Sequence, residues 1–216
     1  MKKFKIPREE IFITSKILPQ HMSYTKAIDE TKLTLKDLKT NYLDMLILHW
    51  PGEKRNRLEA WRACEYLKNE GLVKSIGVSN FKVRHLESLK EKSDYTPCVN
   101  QIEIHPLYYD EETIDYCRKN NIILEAYSPF AVNDHKLTHN IYLKELSKKY
   151  EKSIYQVILK WGLMNEFVIL PRSKNRKHLK TNLEVADFDL TKEELRKITE
   201  LNCNYKTDWD PESITI

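Results

Sequence analysis

The sequence predicts an α/β fold made of parallel βα units. Short runs that are apolar nearly throughout recur along the chain, and amphipathic helical segments separate them. Apolar strands of that kind are covered on both faces, which is the condition of a parallel sheet. No Pro/Gly/Ser-rich linker interrupts the series, so a single domain is predicted over residues 1–216.

The elements follow in order. "IFITSKI" (11–17) is short, β-branched and aromatic and reads as a strand, and "YTKAIDETKLTLKDLKTN" follows with Ile28, Leu35 and Leu38 at helical spacing. Next come the strand "DMLILHW" (44–50) and the helix "NRLEAWRACEYLKNEG", with Gly71 as its C′ stop. The alternation continues with strand "SIGVSN" (75–80), helix "KVRHLESLKEK", strand "CVNQIEIH" (98–105), helix "DEETIDYCRKNN" and strand "IILEAYSP" (122–129). Two helical segments, "IYLKELSKKYEK" and "IYQVILKWGLMNE", precede the strand "FVILPRS" (167–173), and "RKHLKTNLE" and "TKEELRKITELN" close the series as helices. The tail "NCNYKTDWDPESITI" is irregular and aromatic and is expected to pack across one face. About six βα units result, against eight in a closed (β/α)8 TIM barrel, so an incomplete barrel is predicted. Its first and last strands would be unpaired edges, favouring marginal stability or oligomerisation through them.

Composition excludes several classes. Charged residues make up 31% with the signs interspersed, and the net charge is only +4, which argues against both a disordered chain and a nucleic-acid partner. The basic stretch "RSKNRKHLK" lacks interleaved aromatic residues that would stack bases. No run is long and apolar enough to span a bilayer, and the start "MKKFKIPREE" has no apolar signal core. Cys64, Cys98, Cys117 and Cys203 are scattered without metal-ligand spacing, which predicts reduced thiols, a cytoplasmic protein and no metal. With four glycines there is neither GxGxxG nor GxxxxGK[ST], so any nucleotide phosphates must be held by another device.

In parallel α/β folds the chemistry collects where strands end. The first strand ends on Lys16, the second on His49 and Trp50, and the third on Ser79 and Asn80. The fourth carries Asn100 and Gln101 with His105 beyond, the fifth Tyr127 and Ser128, and the last Arg172 and Ser173. Each alone fits an ordinary role: a solvated lysine, a hydrogen-bonded histidine, a turn, a core tyrosine. Together, at the same end of successive strands, they need water, one another or a ligand.

"FITSK", "DMLILHWPG", "GLVKSIGVSNF", "NQIEIHPL", "EAYSPF" and "LPRS" stand in the order and spacing of the aldo-keto reductases, and the chain resembles that family along nearly its whole length. The resemblance implies a (β/α)8 barrel that reduces aldehydes and ketones with NADPH, NADH being the alternative cofactor. It implies that Lys16 lowers the pKa of a proton-donating tyrosine and that His49 orients the carbonyl oxygen, with Trp50 walling the substrate pocket. Ser79, Asn80 and Gln101 match contacts to the nicotinamide carboxamide, Tyr127 the aromatic stacked on that ring, and Ser128 a pyrophosphate contact. Arg172 and Ser173 match the pair at the adenosine 2′-phosphate, and Asn182 an adenine contact.

Three departures stand out. His178 occupies the place of an arginine five residues after Ser173, and "FAVND" replaces the usual Leu-Gly after "YSP". The family's two leading βα units, with the catalytic aspartate and the donor tyrosine, have no counterpart in these 216 residues, as expected of an N-terminally truncated member. Two functions follow as expectations: an NADPH-dependent carbonyl reductase, or a catalytically impaired relative that binds dinucleotide or a protein partner.

Overall fold

A computed structural model describes residues 6–211; the last part of the tail, 212–216, lies outside them. Strand and helix alternate through β1 (Thr14–Ile17), α1 (Tyr24–Leu38), β2 (Leu43–Leu48), α2 (Lys54–Asn69), β3 (Val73–Ser79) and α3 (Val83–Lys90). The series continues with β4 (Val99–Glu103), α4 (Glu111–Lys119), β5 (Ile123–Tyr127), α5 (His135–Thr138), α6 (Ile141–Lys149) and α7 (Ile154–Met164). It closes with β6 (Val168–Ile169), α8 (Arg176–Leu183) and α9 (Lys192–Thr199). The strands form a six-stranded sheet in sequence order, with parallel pairing of β1 to β2, β2 to β3 and β5 to β6. The six strands expected from the sequence are present, and β1 and β6 are terminal in the order.

The chain divides into two compact units, one running through Asn100 and including Lys119–Ile122, the other comprising Gln101–Arg118 and Ile123–Trp209. In the first, all six residues of β2 are buried, and Met45 and Ile47 pack with Val99. Gly77 is required there: a Cβ on it would stand 2.6 Å from Val99 Cγ2 and 3.0 Å from the Val99 carbonyl. The polar member of β2, Asp44, accepts hydrogen bonds from Ile13 N and the Arg8 guanidinium and pairs with Lys74. Burial would raise its carboxyl, but the Ile13 amide and Arg8 outweigh that and hold it below the ordinary value. Helix α2 ends as its sequence indicates. Gly71 follows the last turn at φ 73°, and Leu72 N donates to Leu67 O, the outer bond of a Schellman closure.

In the second unit, capping boxes Ser153–Gln156 and Thr191–Glu194 start α7 and α9. The predicted strand 167–173 shortens to Val168–Ile169, with Leu170 N still donating to Ala126 O; Pro171 then has no N–H to carry the ladder on. The described part of the tail is irregular, and its path is set by bonds from Cys203 N and Tyr205 N to Leu107 O. Among the described residues no helix is long and apolar enough to cross a membrane.

Candidate functional site

The first unit brings Lys16, His49, Ser79 and Asn80 to the ends of three adjacent strands. Parallel register sets Lys16 beside Ile47 and Ile17 beside Leu48, so Lys16 stands near the end of β1 as β2 runs out into His49. The His49 amide then donates to Ile17 O at 2.9 Å. Trp50 follows, buried, its ring centroid 6.2 Å from that of His49. Asn80 ends β3 at φ 64°, a left-handed conformation that Asn tolerates better than most residues. Its Nδ2 donates to His49 O at 3.1 Å and to Ser79 Oγ at 3.3 Å, and both Ser79 and Asn80 are buried. Behind this turn Asn100 donates through Nδ2 to Phe81 O at 2.8 Å and accepts from Phe81 N. Asn100 thus holds the β3–α3 turn in shape, a structural part that its mid-strand position did not announce.

In the second unit Gln101 is buried and donates through Nε2 to Glu125 Oε2 at 2.6 Å. Glu125 escaped sequence reasoning because one acidic residue in an apolar strand leaves no periodic mark. Tyr127 closes β5. Burial, then the charges of Asp208 and Glu103, push its phenol well above the ordinary value, so it stays protonated. Ser128 turns the chain at φ 48°, and its carbonyl accepts from Ala131 N.

Glu103 and His105 point to the same side of the chain, two residues apart, and are fully buried with His105 Nε2 3.1 Å from Glu103 Oε1. The same carboxylate accepts from the amide and hydroxyl of Thr207 and from Asp208 N. Burial alone would raise the Glu103 carboxyl; the bonds from His105 and Thr207 outweigh it and keep the group below its usual range. The tail therefore crosses Tyr127's strand neighbour Glu103 as a strap.

A pocket of about 560 Å³ lies entirely in the second unit, walled by Arg172, Ser173, Lys174, His178 and Asn182 together with Phe130 and Tyr155. No carboxylate lines it. The side chains of Arg172, Lys174 and His178 make no hydrogen bond or ion pair with other described residues. Helix α8 opens onto the same residues; Asn175 caps it by accepting from Lys177 N, and its own amide donates to Ser173 Oγ at 3.1 Å. Phe130 and Tyr155 meet edge to face with ring centroids 5.0 Å apart. Tyr155 was not foreseen, since at the start of α7 it looks like any exposed helix residue. Arg172, Ser173 and Asn182 are thus brought together, with His178 beside them.

Comparison with known proteins agrees with this architecture. A model of the aldo/keto reductase family matches residues 1–203. A glyoxal reductase from Bacillus subtilis is 36% identical over 214 residues, spanning 99% of this chain and 76% of that protein. The crystal structure of an aldo-keto reductase from a Medee basin deep-sea metagenome library has a TM-score of 0.94 and 36% identity, covering 100% of this chain and 80% of the other. The aldo-keto reductase of the silkworm Bombyx mori, solved in complex with NADP, has a TM-score of 0.88 and 28% identity, covering 96% and 73%. With the family match running from the first residue to beyond α9, the chain belongs to the aldo/keto reductase family.

Proposed function

We propose that the chain serves as an NADPH-dependent reductase of small aldehydes and ketones, on a barrel of aldo-keto reductase type. The observation that carries this reading is the acid-free pocket around Arg172, Ser173 and Lys174. A permanent guanidinium, an ammonium, a hydroxyl and the positive end of α8 form a set of donors suited to a phosphate dianion. Phe130 and Tyr155 offer ring surface to a purine, and Asn182 an amide that reads its edge. The residues present therefore fit the adenosine end of NADPH, and the NADP complex of the silkworm relative supports the choice.

Bound NADPH supplies the hydride that reduces the carbonyl carbon. His49 donates a hydrogen bond to the carbonyl oxygen, where negative charge develops. Lys16 favours the ionised form of an acid beside it. By the family resemblance, Ser79, Asn80 and Gln101 would contact the carboxamide, Tyr127 would offer its ring to the nicotinamide, Ser128 would contact the pyrophosphate, and Trp50 would wall the substrate. The glyoxal reductase activity named for a relative supports short, reactive carbonyls as substrates. Cysteines scattered without CxxC or metal-ligand spacing support a reducing, cytoplasmic setting.

A second reading rests on one observation: the resemblance assigns no tyrosine of these 216 residues to the proton-donor place. On that reading a polypeptide of these 216 residues alone binds the dinucleotide without turning it over. Quenching of tryptophan fluorescence by NADPH, followed by NADPH oxidation with glyoxal, separates the two. Arg172→Ala is expected to weaken NADPH by roughly tenfold or more. NADPH binding untouched by that change would sink the assignment of the pocket.

A further inference from the structure

We propose that His135 and His139 form a two-point chelate for a divalent transition-metal cation of the nickel, copper or zinc class. The site is independent of the cofactor reading. Both residues belong to "DHKLTH", in the stretch after β5 where the chain departs from its family's pattern. Asp134 caps the short helix α5 by accepting from Lys136 N, and His139 N donates to His135 O at 2.9 Å. One α-turn therefore separates the two histidines, and their side chains share a face.

The rings are poised for chelation. Their centroids are 4.7 Å apart with planes inclined by 30°, yet the two Nδ1 atoms are only 3.2 Å apart. Since the nitrogens are closer than the ring centres, the Nδ1 edges lean toward one another. Two imidazole nitrogens bound at about 2.0–2.1 Å to one ion, with an angle of about 90–110° between them, stand about 2.9–3.4 Å apart. The observed separation falls inside that bite. Both histidines are exposed, so an ion can reach them with part of its water shell.

The surroundings favour a cation. The Asp134 carboxylate accepts from the Tyr205 hydroxyl at 2.7 Å and from Lys136 N at 2.7 Å. It therefore sets a negative charge beside the pair. The competing charge, Lys136, is drawn aside with its Nζ 4.0 Å from the centroid of the Tyr205 ring. No group of three or more His, Cys, Asp or Glu side chains suited to a metal occurs among the described residues, so water would complete the coordination. The cysteine spacings give no sign of this site; the i,i+4 spacing of the two histidines is its local signal.

The test is calorimetric titration of the 216-residue chain with nickel chloride. One ion per chain is expected, with binding that weakens on acidification because protons compete for both imidazoles. His135→Gln and His139→Gln should each lose roughly tenfold or more in affinity, and the double variant should lose the site while melting as the parent does. Copper EPR of the unaltered chain gives a measurement free of any folding defect, and coupling to two imidazole nitrogens is expected. A nickel site retained by the double variant, no binding by the parent chain, or a copper spectrum without two coupled nitrogens would each overturn the proposal.

Discussion

Asn80 donates from Nδ2 to the backbone carbonyl of His49 at 3.1 Å, and so ties the end of β3 to the end of β2. Because Asn80 also sits at φ 64°, its two contributions can be separated. Asn80→Gly keeps the left-handed turn and loses only the side-chain bonds. Asn80→Ala loses the bonds and adds about 1–2 kcal/mol of backbone strain. The urea midpoint is expected to fall further for the alanine variant. Equal midpoints would mean that the turn relaxes and that φ is not what selects Asn here.

In the strap over β4, Thr207 and Asp208 both bond one carboxylate, that of Glu103. Glu103→Gln keeps the shape but turns one acceptor oxygen into an NH2 group facing the donors of Thr207 and Asp208. A loss of about 1–3 kcal/mol is expected, and trypsin should cut after Lys206 sooner than in the unaltered chain. Unchanged proteolysis at that site would show that the contacts of Cys203 and Tyr205 with Leu107 suffice to hold the tail.

How much of this was legible depends on whether the signal was local. The apolar run of β2 and the C′ glycine at 71 each declare themselves within a few residues, and the structure has both in place. Helix α1 shows where periodicity misleads. Its buried face is Ala27, Thr31 and Leu35, while Leu38 is 42% exposed, because the Thr31 hydroxyl is satisfied by Ala27 O and so can be buried like an apolar group. The strand-end residues were found one by one because strand ends can be located. Glu125, the partner of Gln101, and Glu103 with its partner Thr207 were not singled out, because the bonded pairs are 24 and 104 residues apart in sequence and leave no local trace.

Glu194 couples α9 to α6 and carries a pH signature. Its carboxylate accepts from Lys149, Tyr150 and Thr191; burial would raise the group, but these bonds bring it down to about 2 from 4.5. A carboxyl depressed in the folded state stabilises fully above its unfolded value, and that contribution is lost as pH falls through the folded one. Stability is therefore expected to decline between pH 4.5 and about 2. Glu194→Gln should be less stable than the parent at neutral pH and show a shallower acid decline. Parallel acid limbs for the two proteins would remove Glu194 from the account.

Discrimination between the two nicotinamide cofactors should turn on His178. It lines the pocket with Arg172 and Lys174, in the place where the family resemblance expects an arginine. An imidazole is smaller and offers a phosphate fewer N–H donors, whereas a guanidinium is always charged and can bind a phosphate through two N–H groups. His178→Arg is expected to tighten NADPH several-fold and to leave NADH nearly unchanged. Equal tightening of both would place residue 178 away from the 2′-phosphate.

The last expectation concerns turnover by a polypeptide of these 216 residues made alone. A positioned proton donor typically contributes about 10²–10⁴-fold, and the resemblance assigns that part to none of the tyrosines here. His49 can polarise a carbonyl by donating to its oxygen, whereas the part the resemblance implies for Lys16 is to tune that donor. Reduction of a reactive aldehyde such as 4-nitrobenzaldehyde should therefore be slow, and what remains should fall more for His49→Ala than for Lys16→Met. The order of the two effects is the informative part, because a general loss of folding would lower both alike. Fast NADPH oxidation that Lys16→Met abolishes would mean that Lys16 is tuning a donor after all. If changing Tyr24 or Tyr108 removed the same activity, that residue would be the donor, and the reading of a chain that binds without turnover would fail.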